Sequence, residues 1–117
     1  MSIKRNNPKP RLADSVEFGG LMYLSGQVPS DLTGDITQQT QEVLDKIDAL
    51  LAASQSDKTC ILSAQVWIKN MPRDFAAFNA VWESWMPVEH SPARAAVEAN
   101  MAREQVLVEI MVTAVQR

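Results

Sequence analysis

Two charged residues in the last quarter of the chain have the chemistry of a small-molecule site. Pro92-Ala93-Arg94 opens a short β-type run over 95–99, and a second run over 106–115 carries Glu109. Arg94 is the one cation of the first run, and Glu109 the one carboxylate flanked by apolar residues in the second. A guanidinium is a rigid fork that grips a carboxylate at two points. A carboxylate a few ångströms beyond it can orient a water or take its proton. If the two runs pair as a hairpin with its turn between Met101 and Ala102, Arg94 and Glu109 fall opposite each other on one face. The competing reading is a surface ion pair between strands, which contributes little.

Other residues qualify only in company. Ser25-Gly26 can offer a hydroxyl and an open backbone N–H to an anion, or simply end a strand beside a turn. Asn79 lies among Phe75, Phe78 and Trp82, where an amide can align a ligand or satisfy neighbouring backbone. Trp67, Trp82 and Trp85 are expected in the core or at a subunit interface. Cys60 reads as a small core residue, and His90 as a loop histidine that could titrate near a site.

The elements that must position these groups follow from spacing. Val16-Glu17-Phe18 and Leu21-Met22-Tyr23-Leu24 flank Gly19-Gly20, a hairpin with a two-residue turn. Asp35 and Gln38 have the spacing of a capping box. The helix they open keeps Ile36, Val43, Leu44, Ile47, Leu50 and Leu51 on one face to about Ala53. A third strand spans 60–69, and a second helix runs from about Asp74 to Trp85. With the closing hairpin the order is β-β-α-β-α-β-β, an α+β fold with both helices on one face of a mixed sheet.

Composition narrows the function classes. The 117 residues fit one domain over 1–117, with 46% hydrophobic and 21% charged residues. A formal net charge of −3 argues against nucleic-acid or anionic-membrane partners. One cysteine excludes an intrachain disulfide and suggests a reducing, cytoplasmic setting. One cysteine and one histidine supply no clustered soft-ligand metal site. No GxGxxG, GxxxxGK[ST] or GxSxG occurs, so no cofactor is expected.

Taken together, Ser25-Gly26-Gln27-Val28-Pro29, Asp74-Phe75-Ala76-Ala77-Phe78-Asn79, Pro92-Ala93-Arg94-Ala95-Ala96-Val97-Glu98 and Val108-Glu109-Ile110 resemble the YjgF/RidA family of imine-hydrolysing proteins. The resemblance implies a chorismate-mutase-like fold, assembled as a homotrimer with clefts between subunits. It implies hydrolysis of 2-imino and 2-enamino acids, the products of pyridoxal-phosphate enzymes, to 2-keto acids and ammonia. Arg94 falls where the family binds the substrate carboxylate, and Glu109 where it orients the attacking water. Ser25, Gly26 and Asn79 match positions that line the cleft, and carbonyls beside Ala95 or Ala96 are candidate acceptors for the imine N–H. Leu12 stands where archetypal members carry an aromatic residue, and Ala96 where they carry cysteine. These departures imply a divergent subfamily whose cleft admits larger or more apolar side chains. They also keep open a non-catalytic binder of keto acids or other small carboxylates. The endoribonuclease activity sometimes attached to the family is disfavoured by the acidic charge balance.

Overall fold

A computed structural model describes residues 2–117. Its six strands form one sheet, and two helices pack on one of its faces. The strands are β1 (Lys4–Asn6), β2 (Ser15–Phe18), β3 (Leu21–Leu24), β4 (Ile61–Ile68), β5 (Ala93–Glu98) and β6 (Val108–Val115). The helices are α1 (Ile36–Ala53) and α2 (Met71–Trp85), and the sheet order is β1-β2-β3-β6-β4-β5.

The local signals act as the sequence predicts. Phe18 pairs with Leu21, leaving Gly19 (φ 61°) and Gly20 (φ 82°) as the two-residue turn. Both φ values are positive, a conformation that glycine enters without a Cβ clash. At α1 the Gln38 N–H donates to Asp35 Oδ1 at 2.9 Å, and the Asp35 N–H donates to Gln38 Oε1 at 3.0 Å. α2 begins earlier than its expected start, because Asn70 caps it by accepting from the Arg73 N–H at 3.1 Å. Pro72 is tolerated there, since first-turn N–H groups lack helical partners anyway. β1 was not expected; its three residues carry no apolar pattern, and their pairing to β2 alone defines them.

The imperfect alternation of β4 has a cause. Its register shifts between Ile61 and Ser63, so Ile61 and Ala64 both reach the core along with Val66 and Ile68. These meet Val108, Ile110, Val112 and Ala114 of β6, Val43, Leu44, Ile47 and Leu51 of α1, and Phe78, Val81 and Trp82 of α2. The Trp85 indole N–H donates to Asp48 Oδ2 at 3.0 Å and ties the two helices together.

The expected closing hairpin is absent. β5 lies at the sheet edge, parallel to β4, with Arg94 beside Ala64. β6 enters between β3 and β4, antiparallel to both. Two constraints override adjacency in sequence. The chain crosses from β4 to β5 through α2, which sets those strands parallel. β6 has its inward side chains at most 2% exposed, so it belongs at the centre of the sheet rather than beside an edge strand. No described helix is long and apolar enough to cross a membrane.

Candidate functional site

Loss of the hairpin relocates both charged residues. Arg94 shares a row with Ala64 and Val112, whose side chains face the helices. Glu109 is flanked by inward-facing Val108 and Ile110 and pairs with Trp67, so it projects from the opposite, open face. Within one chain, therefore, Arg94 and Glu109 are not neighbours. They stand in two separate clusters, each a candidate half-site.

The first half-site is built by β5 and α2. Arg94 Nη2 donates to Asn79 Oδ1 at 3.0 Å. Its guanidinium carbon lies 5.1 Å from the Trp82 ring centre and 5.6 Å from that of Phe78, within cation–π range. Asn79 and Trp82 stand three residues apart on one helix face, which is why a single cation can touch both. Trp82 is a core residue, as expected, but it also serves as the floor beneath this cation. No carboxylate among the described residues lies within ion-pair distance of Arg94. Partial burial lowers the Arg94 pKa from the ordinary arginine value, and the negative charge of Glu83 works in the other direction. An arginine stays charged regardless. The result is a fixed cation with unused donors, opening on a cleft of about 270 Å³ lined by Asn79, Trp82, Glu83, Met86, Val88 and Ser91. Ala96 faces the same side and packs partly buried against the core. The Ala95 carbonyl accepts from Gln65 Nε2 at 3.3 Å, so it is not a wholly free acceptor.

The second half-site centres on Glu109. An isolated bridge between Gln27 and Ile110 (N–H to O 2.8 and 3.1 Å) presses the segment after β3 against β6. This brings Gly26 beneath the carboxylate: a Cβ built on Gly26 would lie 2.1 Å from Glu109 Oε2. Glycine is required here for close approach, not for an unusual backbone angle. The Gly26 N–H has no partner among the described residues. Ser25, by contrast, is committed. Its hydroxyl donates to the Ala13 carbonyl at 2.5 Å and its N–H to the Asp14 carbonyl at 3.0 Å. These bonds clip the β1–β2 loop onto the half-site and set Leu12, 49% exposed, close by in the chain.

Of the residues singled out in the sequence, the structure brings Arg94 to Asn79 and Glu109 to Gly26, with Ser25 next to the latter pair, but it does not bring Arg94 and Glu109 to one face as expected. Sequence reasoning missed Glu83, Met86 and Val88; Glu83 was detectable as the residue four positions after Asn79, on the same helix face. His90 is exposed in a short 3₁₀ turn, and Cys60 is partly buried beside β4. Among the described residues no three His, Cys, Asp or Glu side chains gather as metal ligands would.

Comparison with known proteins adds a third line. The family model described as endoribonuclease L-PSP matches residues 3–116. The chain is 41% identical over 112 residues to a RutC family protein of Haemophilus ducreyi, spanning 96% of this chain and 95% of that one. It is 35% identical over 114 residues to the RutC family protein YoaB of Escherichia coli, spanning 97% and 98%. It is also similar to a crystal structure of a YjgF protein family member from Neisseria meningitidis. There the TM-score is 0.95 at 41% identity, over 100% of this chain and 97% of that one.

Proposed function

The chain belongs to the YjgF/RidA family, and from that premise we propose that it is a hydrolytic deaminase of reactive 2-imino and 2-enamino acids. The observation that carries the reading is the unpaired Arg94 guanidinium, fixed by Asn79 and two aromatic rings at the mouth of a cleft. A cation held this firmly without a carboxylate partner is prepared to receive one from a ligand.

Because its complement, Glu109, sits on the other face, the complete site needs a second copy. The open face supports such an assembly: Phe18, Tyr23, Val97 and Met111 are between 43% and 48% exposed on it. Apolar surface of this kind marks an interface. In this reading three copies close around that face, and each cleft takes Arg94 from one chain and Glu109 from its neighbour.

The reaction asks little beyond positioning. Arg94 binds the substrate carboxylate through donors that Asn79 leaves free, which fixes the imine carbon. Glu109, resting over Gly26, accepts a proton as a water oxygen attacks that carbon. The C=N π pair moves to nitrogen, which takes up a proton, giving a carbinolamine. Glu109 then returns its proton to that nitrogen, and ammonia leaves with the C–N bonding pair. The hydroxyl oxygen gives its proton to water as it forms the carbon–oxygen double bond of the 2-keto acid. An endoribonuclease reading has weaker support, since phosphodiester binding draws on basic surface and the chain carries a net charge of −3.

The test is keto-acid release from an imine generated in situ by an amino-acid oxidase. The protein accelerates it, Arg94→Ala lowers kcat/KM by roughly 100-fold or more, and Glu109→Gln lowers kcat by about 10²–10⁴-fold, the range of a lost general base. Rates indifferent to Arg94→Ala overturn the assignment. Stabilisation by keto acids without turnover points to a binding protein instead.

A further inference from the structure

The Arg94 cleft contains more than an anchor for a carboxylate. Behind the guanidinium stand Trp82 and Met86, 7% and 4% exposed, and across from them the turn after Pro87 presents Val88. Val88 is 84% exposed, far more than any other large hydrophobic residue described as exposed. Covering a valine this open with an apolar group is favourable. Ser91 does not offset this apolar character, because its hydroxyl donates to the Val88 carbonyl at 2.9 Å. Besides Arg94, the one charged side chain lining the cleft is Glu83.

Resting on the deaminase reading, we infer that the cleft selects 2-imino acids with uncharged, branched aliphatic side chains and that Val88 is the specificity-determining residue. Once a carboxylate occupies Arg94, the remainder of the ligand meets Trp82, Met86 and Val88. A methyl side chain leaves that wall wet, whereas an isobutyl group covers it. A second carboxylate would lose hydration along this apolar wall with no second cation lining the cleft to receive it. A cationic side chain would be attracted, but Glu83 is exposed, and an exposed pair contributes little against the loss of hydration along an apolar wall.

The experiment compares imines generated from alanine, leucine, glutamate and ornithine. The wild-type kcat/KM for the leucine-derived imine exceeds that for the alanine-derived one by about tenfold or more, since single methylenes in an apolar pocket discriminate by roughly 10–200-fold. Val88→Ser lowers this ratio by about tenfold, mainly through KM, and Val88→Ile preserves it. The glutamate-derived imine is poor in the wild type and stays so in Glu83→Gln. A leucine-to-alanine ratio near one, a ratio indifferent to Val88→Ser, or a preference for the ornithine-derived imine overturns the inference while leaving the deaminase reading intact. Acceleration of none of the four sinks the deaminase reading. Specificity is then read from thermal shifts: at equal concentration the keto acid of leucine raises Tm more than pyruvate does, and Val88→Ser removes the difference. Equal shifts overturn the inference there too.

Discussion

Arg94 has an amide on one edge and aromatic rings on its face, so charge alone does not define its role. Arg94→Lys keeps the charge but loses both the planar fork and the stacking. It is expected to raise KM by about tenfold or more, measured in the same imine assay. Gly26 makes a separate test of the other half-site. Gly26→Ala would set a methyl 2.1 Å from Glu109 Oε2, so the carboxylate must swing away. We expect kcat to fall nearly as far as in Glu109→Gln, with the circular-dichroism spectrum retained; full activity would show that the carboxylate needs no support there. Chemistry singled out Arg94 and Glu109 as candidates in the sequence, since few residue types can bind a carboxylate or take a proton from water. The steric role of Gly26 was not legible, because it depends on a strand that joins it only through the Gln27–Ile110 bridge.

The elements carry two buried polar devices of their own. Glu17, 9% exposed on β2, accepts from Asn6 Nδ2 at 2.6 Å, Ser54 Oγ at 2.9 Å and Gln116 Nε2 at 2.8 Å. It thereby joins β1, the end of α1 and the segment after β6. These bonds, Asn6 foremost, hold its pKa below the ordinary glutamate value against the opposing effect of burial. A depressed carboxylate pKa stabilises the fold above the unfolded-state value, and the contribution is lost as pH falls through the folded value. Glu17→Ala should cost about 1–3 kcal/mol by urea denaturation at neutral pH, through donors left unpaired, and should flatten the loss of stability below about pH 4. Gln39 is the second device. It accepts from the Leu107 N–H at 2.8 Å and donates to the Gln105 carbonyl at 2.9 Å, fixing the entry to β6. The glycine turn disclosed the first hairpin, the capping box and apolar period α1, and the apolar stripe all of α2 but its first turn, because those signals are local. The closing hairpin failed because pairing is not local: the α2 crossover and the apolarity of β6 decide which strands meet, and neither is visible in the turn residues at 101–105.

At the scale of the whole molecule, the two half-sites face opposite ways on one sheet. Met111→Arg, on the open face, should yield a monomer by sedimentation that keeps its helices but lacks turnover. Arg94→Ala and Glu109→Gln chains, each inactive alone, should recover up to about a quarter of wild-type activity when refolded together, as random mixing in a cyclic assembly restores that share of intact pairs. No recovery would mean that each chain completes its own site. The sequence suggested a trimer only by resemblance; in the proposed assembly a second copy completes the site because the strand order sets Arg94 and Glu109 on opposite faces of one sheet. It also changes how the protein must be assayed. A self-contained catalyst gives a rate proportional to the amount of protein added, however dilute. Here turnover per chain should decline on dilution as copies separate, so that a plot of rate against concentration curves upward from the origin before it straightens.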